Sequence, residues 1–273
     1  MASFEDIQGR YADIGGTKIY YDELGSGVPM VCAHTAGGCS MQWHEIMPLL
    51  ARAGFRVIAL DLPGHGKSYP VRWTPFTRMR DYAEFVWGFV QHVARGEKAV
   101  FMGCSIGANM ATDLAAHHGA DLRAVVAMEG AARTAPLYDT RRSSEPHAHV
   151  CRSYFSEAVT VASCAQPMRE GKDIELQWLH RYAPQQVATS DLQCWMNHDV
   201  RDRMKDLACP YLNVRGEADF FLSQEVVDAT MRDIPDGLGE AVCLERIGHY
   251  PMFEQPQLTA DVVLDFLRRR DVV

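Results

Sequence analysis

The stretch Gly103-Cys104-Ser105-Ile106-Gly107 has the form G-x-S-x-G and joins two regular patterns. An apolar run at residues 99–102 comes directly before it, and small and apolar residues at helical spacing follow it. A serine in such a strand-to-helix turn is held out from the backbone, with the first amides of the helix facing whatever it attacks. The stretch therefore predicts that Ser105 is a nucleophile for acyl transfer.

Strand-like runs alternate with helical patterns on both sides of this turn. Apolar runs at 29–34, 56–60, 122–128, 211–214 and 241–244 predict strands, and 11–14 and 17–23, either side of Gly15-Gly16, predict an antiparallel hairpin. Apolar side chains three and four residues apart predict a helix over 82–93, and further helices are predicted at 41–52 and 256–270. This order predicts an α/β fold with a mostly parallel central sheet and helices on both faces.

The alternation stops between residues 131 and 206, where the pattern becomes helical and includes Trp178 and Trp195. A long insertion after a strand typically covers the open end of an α/β sheet, where ligands bind. We therefore predict an α/β core formed by residues 1–130 and 207–273, with residues 131–206 as a helical lid.

Composition limits the classes of partner. The chain has 273 residues and a formal net charge of -8, and its isoelectric point is about 5.7. A nucleic acid or an anionic membrane would require a basic face, so a small-molecule substrate is expected instead. The eight cysteines show no metal-ligand spacing and no disulfide framework, and no targeting segment is recognised at the N-terminus. We expect a cytoplasmic protein; its oligomeric state is left open, with a homodimer as one alternative.

Two further residues follow Ser105 in a meaningful order. Asp219 lies just after the strand predicted at 211–214, and His249 lies in Gly248-His249-Tyr250-Pro251. A serine hydroxyl is a weak nucleophile that needs an imidazole to take its proton, and a carboxylate must fix the tautomer of that imidazole. The chain order Ser, acid, His is the one associated with the α/β-hydrolase arrangement.

Three more segments resemble motifs of the α/β-hydrolase superfamily, and the resemblance covers nearly the whole chain. They are His34-Thr35-Ala36-Gly37-Gly38 with Trp43 beyond it, the D-x-P-G-x-G-x-S segment from Asp61 to Ser68, and the G-H-x-P-x-x-E-x-P segment from Gly248 to Pro256. The resemblance implies hydrolysis without a cofactor or metal. It also implies an oxyanion hole formed by the backbone amides of Ile106 and Ala36. Thr35 stands where a glycine is usual in this loop, so the amide of Thr35 is an alternative to that of Ala36.

Two residues compete with this assignment. Glu129 follows the strand predicted at 122–128, a place from which some α/β-hydrolases, including lactonases resembling the zearalenone-degrading type, supply their carboxylate; Asp219 is the favoured acid and Glu129 the alternative. Cys104 is intrinsically more reactive than serine, but its position before the apex of the turn predicts a side chain directed into the core. Epoxide hydrolases and haloalkane dehalogenases of the superfamily carry Asp at the position of Ser105, which argues against both activities.

The expected function is a serine hydrolase that cleaves a carboxylic ester or lactone of a hydrophobic small molecule through an acyl-enzyme on Ser105. One alternative is a carbon–carbon bond hydrolase of ring-cleavage products, which would need a cation for the substrate carboxylate. Another is a ligand-sensing protein with slow turnover. Candidates for that cation are Arg133, Arg152 and Arg181, and candidates for contact with substrate are Trp43, Trp195, His198 and Phe220, together with the other lid histidines His147, His149 and His180.

Overall fold

The computed structural model describes residues 3–134 and 152–273, and in this part of the chain eight strands form one sheet. The strands are β1 (Gln8–Ile14), β2 (Thr17–Gly25), β3 (Val28–Ala33), β4 (Phe55–Leu60), β5 (Val100–Cys104), β6 (Ala124–Met128), β7 (Tyr211–Gly216) and β8 (Gly239–Leu244). Their order across the sheet is β1-β2-β4-β3-β5-β6-β7-β8. Only the β1–β2 and β2–β4 pairs are antiparallel. The predicted edge hairpin and mostly parallel sheet are confirmed.

The central strands are apolar throughout because both faces of the sheet are covered. Every residue of β5 and β6 is buried. Successive side chains of a strand point to opposite faces, so Met30 and Cys32 of β3 pack into one apolar cluster while Val31 and Ala33 pack into the other. The sheet thus separates two halves of the core.

Helices cover both faces of the sheet, as the sequence predicts. The first three are α1 (Met47–Arg52), α2 (Met79–Ala94) and α3 (Ile106–His118). The stripe from Tyr82 to Val93 lies on α2 and packs into one cluster with α3, while α1 packs into the other cluster with the C-terminal helix over Pro256–Arg269.

The prediction of one helix over residues 41–52 is wrong. A 3₁₀ turn occupies Ser40–Trp43, and the α-helix begins only at Met47. The reason is Pro48, which lacks a backbone N–H and is tolerated in the first turn of a helix but not in its interior. The α-helix therefore begins with Pro48 in its first turn, instead of running through from residue 41.

A helical segment separates β6 from β7. Its described helices are α4 (Arg152–Ala162), α5 (Lys172–Leu179) and α6 (Gln185–Asn197), followed by a 3₁₀ turn at Arg201–Asp206. The C-terminal part of the chain adds α7 (Gln224–Met231), α8 (Pro251–Glu254) and α9 (Pro256–Arg269). Because β6 ends at the carboxyl edge of the sheet, the insertion begins at that edge. The division into core and lid by residue number stays a prediction.

None of the helices in the described part of the chain is long and apolar enough to cross a bilayer.

Candidate active site

Ser105 stands on a strained turn between β5 and α3. Its backbone φ of 58° and ψ of -116° lie outside the regular regions, and its N–H donates to the Met128 carbonyl at 2.9 Å. The two flanking glycines are required by close backbone approach: a Cβ on Gly103 would lie 2.0 Å from the Gly107 oxygen, and one on Gly107 would lie 2.3 Å from the Ala33 oxygen. The G-x-S-x-G pattern is therefore a packing requirement of the turn that projects the serine.

The acid and the histidine come from the loops after β7 and β8 and meet in a buried contact. The Nδ1 atom of His249 lies 2.9 Å from Oδ2 of Asp219, and the other oxygen of Asp219 accepts the Phe221 backbone N–H at 2.8 Å. Burial opposes ionisation of Asp219, but the charge and hydrogen bond of His249 prevail and lower its pKa. With Nδ1 donating to this carboxylate, Nε2 keeps the lone pair that can accept a proton.

Glu129 lies next to this pair: one of its carboxyl oxygens is within 4.8 Å of the ligand atoms of Asp219 and His249. The hydrogen bond at Nδ1 of His249, however, goes to Asp219. Glu129 follows β6 with a φ of 55°, and its Oε1 accepts the Gly216 backbone N–H. Its Oε2 is buried and has no donor among the described residues. Burial and the neighbouring Asp219 carboxylate raise the pKa of Glu129 well above 4.5. Two carboxyl groups this close oppose each other's ionisation, and the raised pKa favours the protonated form of Glu129.

Glu129, Asp219 and His249 are also the one group in the described part of the chain whose ligand atoms, all within 4.8 Å of one another, could hold a metal ion. A proton on Glu129, which its raised pKa favours, would balance the two carboxyl groups without a cation.

Among residues 35–38 of the loop after β3, one backbone amide has no acceptor in the described structure. The Thr35 N–H donates to Oε1 of Gln42 at 3.1 Å, the Gly37 N–H donates to Oδ2 of Asp191 at 3.2 Å, and the Gly38 N–H donates to the Thr35 carbonyl at 3.0 Å. The Ala36 N–H remains. Of the two residues that the sequence leaves open, Ala36 therefore has the amide that is available to a substrate oxygen.

The remaining motifs hold these loops in place. Both oxygens of Glu254 accept backbone N–H groups around the histidine, from Gly248 at 3.0 Å and from Tyr250 at 2.9 Å. Asp61 accepts the Ser40 N–H at 2.7 Å and the Lys67 N–H at 2.8 Å. These carboxylates explain why the motifs contain an acidic residue outside the reacting group.

Comparison with known proteins identifies the family. The model of the alpha/beta hydrolase family matches residues 30–262. The chain belongs to the α/β-hydrolase family. It is a hydrolase, and its fold is that of solved members, such as the enol-lactonase from Burkholderia xenovorans, with a TM-score of 0.83, 20% identity and coverage of 95% of this chain and 100% of that one.

Two sequence relatives of this α/β-hydrolase have different activities. The chain is 23% identical to a 2-hydroxy-6-oxo-6-(2'-aminophenyl)hexa-2,4-dienoic acid hydrolase from Metapseudomonas resinovorans, over 96% of this chain and 91% of the relative. It is 25% identical to a pimeloyl-[acyl-carrier protein] methyl ester esterase from Aeromonas hydrophila, over 92% of this chain and 99% of the relative.

An aromatic cluster lies beside His249 in this hydrolase. The Phe221 ring centroid is 4.8 Å from that of His249 and 4.3 Å from that of Phe220, and Trp195 packs edge-on to Phe221 at 6.3 Å. Two of the predicted substrate contacts, Trp195 and Phe220, thus lie near the histidine. Phe221 was missed by the sequence reasoning, although its place two residues after Asp219 was a usable signal.

The other two predicted substrate contacts lie elsewhere. Trp43 is fully buried and packs in the apolar cluster on the α1 side of the sheet. Nε2 of His198 lies 3.5 Å from Oδ2 of Asp113, which is on α3 eight residues beyond Ser105, or about 12 Å along the helix. These positions give both residues structural surroundings, and their roles as substrate contacts stay predictions.

Cys104 lies in the core beside the turn. It is fully buried, its Sγ–H donates to the His249 carbonyl oxygen at 3.2 Å, and burial raises the pKa of its thiol well above the usual value. A buried neutral thiol is a poor nucleophile. These surroundings agree with the structural role that the sequence predicts for Cys104.

Side chains of the insertion reach the loop after β3. Asp191 of α6 accepts the Gly37 N–H and also lies 2.8 Å from Nε2 of His65, a buried contact that is an ion pair when His65 is protonated. Burial alone would lower the pKa of His65, but the Asp191 charge raises it overall. Of the lid histidines, His180 also reaches this loop, through Gln42 at 3.1 Å, whereas His147 and His149 lie outside the described residues.

Proposed function

We propose that this protein is a serine hydrolase that cleaves a carboxylic ester or lactone of a hydrophobic small molecule through an acyl-enzyme on Ser105. The observation that carries the proposal is the 2.9 Å contact between His249 and Asp219 at the same sheet edge as the Ser105 turn. Hydroxyl, imidazole and carboxylate are the three groups that acyl transfer by serine requires.

In the proposed reaction the Ser105 oxygen attacks the carbonyl carbon while Nε2 of His249 accepts the hydroxyl proton. The carbonyl electrons move to the oxygen, and the amides of Ile106 and Ala36 stabilise the resulting oxyanion. Collapse expels the alkoxide, which takes the proton from His249. Water, deprotonated by the same histidine, then attacks the acyl carbon; the bond to the Ser105 oxygen breaks, this oxygen takes the proton back from His249, and the acid is released.

Asp219 stabilises the imidazolium that forms on His249 in both half-reactions. Glu129, in its protonated form, keeps a second charge out of the buried site and positions Asp219 from the neighbouring loop after β6. This division assigns the acid role to Asp219 and a positioning role to Glu129. A protonated carboxylic acid at this place supports Asp219 without competing for the histidine.

The proposal of a hydrophobic substrate is supported by the aromatic rings near His249, which are those of Trp195, Phe220 and Phe221. Aromatic side chains bury large apolar area and favour apolar ligands. The similarity to an enol-lactonase and to a methyl ester esterase supports an ester or lactone bond as the target. We therefore propose that the binding partner of this site is a small-molecule substrate.

The carbon–carbon hydrolase alternative has support from one relative but less from the arginines it needs. Arg181 forms two 2.9 Å hydrogen bonds with Glu157, and Arg133 lies 3.4 Å from Asp199. The side chain of Arg152 lies outside the described part. Because the two described candidates are already paired with carboxylates, we favour the ester or lactone.

A labelling experiment tests the proposal. The protein is incubated with a fluorophosphonate, digested, and the labelled peptide is identified by mass spectrometry in the wild type and in Ser105→Ala and Cys104→Ala. We expect the label on Ser105 in the wild type and in Cys104→Ala, and none in Ser105→Ala. Label on Cys104, or none in the wild type, would overturn the acyl-enzyme.

A substrate comparison then separates the two bond types. Initial rates are measured on an aromatic ester, an aromatic lactone and a dienoic ring-cleavage product that carries a free carboxylate. We expect the ester or the lactone to be hydrolysed with the higher kcat/KM. Faster turnover of the dienoic acid would favour the carbon–carbon hydrolase instead.

A further inference from the structure

His180 brings a polar group of the insertion to the loop after β3. It follows α5, and its Nε2 lies 3.1 Å from Nε2 of Gln42 and 3.2 Å from the Tyr250 hydroxyl. The first of these contacts joins residues 138 positions apart in the chain. A Cβ built on Gly37 would lie 3.6 Å from Nδ1 of His180. The imidazole therefore lies over the residue that follows Ala36.

The hydrogen bonds around Gln42 determine which nitrogen of His180 carries the proton. The Thr35 backbone N–H can only donate, and it points at one end of the Gln42 amide at 3.1 Å. That end must be the oxygen, so the other end, facing His180, is the NH₂ group. Nε2 of His180 is consequently an acceptor, and the proton of the neutral ring lies on Nδ1.

The surroundings keep this ring neutral. Burial lowers the pKa of His180 to about 3, and the nearby His249 and His65 act in the same direction, against a smaller opposing effect of Glu157. His180 also retains some exposed surface. Among the described residues, no acceptor lies within hydrogen-bonding distance of its Nδ1.

We propose that Nδ1–H of His180 is a specificity-determining hydrogen-bond donor for a substrate oxygen next to the scissile carbonyl. Three observations carry this inference: the fixed tautomer, a donor that no described residue uses, and its place over Gly37 beside the Ala36 amide. The ligand class is an ester or lactone whose acyl part carries an ether, hydroxyl or carbonyl oxygen close to the reacting carbon. The inference rests on the proposed function, because it assigns a substrate feature to the same site.

Matched substrates isolate this contact. The nitrophenyl esters of methoxyacetic acid and 3-methoxypropanoic acid are compared with those of butanoic and pentanoic acid, in which a methylene replaces the ether oxygen. For each pair, the ratio of kcat/KM is measured in the wild type and in His180→Phe. Because both proteins meet the same esters, differences in intrinsic reactivity cancel between the two ratios.

We expect His180→Phe to lower the ether-to-alkyl ratio of at least one pair by about three- to tenfold, the range of one neutral hydrogen bond. His180→Asn, whose amide can place a donor near the position of Nδ1, should restore part of the preference. Tyr250→Phe keeps the Gln42 donor on Nε2, so it should keep the preference. An unchanged ratio in His180→Phe for both pairs would overturn the inference.

Two further readouts are independent of the folding of His180→Phe. The ether-to-alkyl ratio of kcat/KM in the wild type should be constant from pH 5 to pH 9, since an imidazole that stays neutral does not titrate in this range. A ratio that follows the titration of a histidine in this range would contradict the assignment. Nitrogen NMR of histidine-labelled wild type, assigned with His180→Asn, should place the proton on Nδ1. A proton on Nε2 would refute the tautomer. Absence of fluorophosphonate label from Ser105 in the wild type is a separate result, and it would refute the proposed function instead.

Discussion

Replacing Glu129 with glutamine tests whether this residue is the acid of the reaction or the protonated neighbour of the acid. A glutamine can accept the Gly216 N–H with its oxygen, as Glu129 does, and can donate its NH₂ group to Asp219, as a protonated Glu129 would. We therefore expect Glu129→Gln to keep kcat within about threefold of the wild type at pH 7. Asp219→Asn cannot stabilise the imidazolium of His249, and the expected loss in kcat is about 10⁴-fold, or roughly 5.5 kcal/mol at 1.36 kcal/mol per tenfold.

The same substitution has a predicted effect on the free energy of unfolding. The pKa of Glu129 is raised on folding, so between its unfolded value of about 4.5 and its folded value the native state binds more protons than the unfolded state. Wild-type stability therefore falls as pH rises through this window, by up to about 1.4 kcal/mol per pH unit. Glu129→Gln lacks this titration, so its stability relative to the wild type should increase with pH.

The assay combines kinetics with urea unfolding at pH 5, 6 and 7. Glu97→Gln serves as the matched control, because it removes an exposed carboxylate and should leave kcat and the pH dependence of stability unchanged. A loss of several orders of magnitude in kcat for Glu129→Gln, with near-normal Asp219→Asn, would move the acid to Glu129. A stability difference that does not change with pH would refute the protonated state.

Three further outcomes are expected. Ser105→Ala and His249→Ala should each abolish ester hydrolysis, and the double variant should retain the same residual rate as the single variants because the residues act as a unit; rates that fall multiplicatively would refute the shared role. Cys104→Ala should keep most of its kcat and lose only the stability of a small buried side chain, about 1 kcal/mol by urea unfolding; loss of activity without loss of fold would contradict this. Asp191→Asn removes the partner that raises the pKa of His65, and the stability from that pair is present below about pH 6.5 and lost as pH rises through the raised value; the variant should therefore be destabilised more at pH 6 than at pH 9, and an equal loss at both would count against the ion pair.

The fold could be predicted from sequence because its signals are local. Buried central strands require continuous apolar runs, and the turn at Ser105 requires Gly103 and Gly107 because backbone atoms approach where a Cβ would be. The helix prediction at 41–52 failed at one local signal, Pro48, whose effect depends on whether it lies in the first turn or in the interior.

The residues of the candidate site could be predicted from their order along the chain, but the contacts between them could not. The order of Ser105, Asp219 and His249 predicted the candidate reacting groups, but the sequence left open whether His249 bonds to Asp219 or to Glu129. Parallel strands β6 and β7 lie side by side, which brings the ends of both to one edge. Adjacency of strands in the sheet, rather than in the chain, brings both carboxyl groups near the imidazole, and the hydrogen bond at Nδ1 shows that Asp219 is its partner.

The insertion was the least predictable part because its polar contacts join residues far apart in the chain. Asp191 accepts a hydrogen bond from the Gly37 N–H. His180 is hydrogen-bonded to Gln42, which in turn accepts the Thr35 N–H. The amides on either side of Ala36 are therefore fixed by hydrogen bonds whose partners include α6 of the insertion. If the Ala36 N–H stabilises the oxyanion, the segment that we propose to contact the substrate also sets the direction of that donor. Substitutions in α6 should then change kcat as well as KM, because a misdirected amide weakens binding of the transition state more than binding of the ground state.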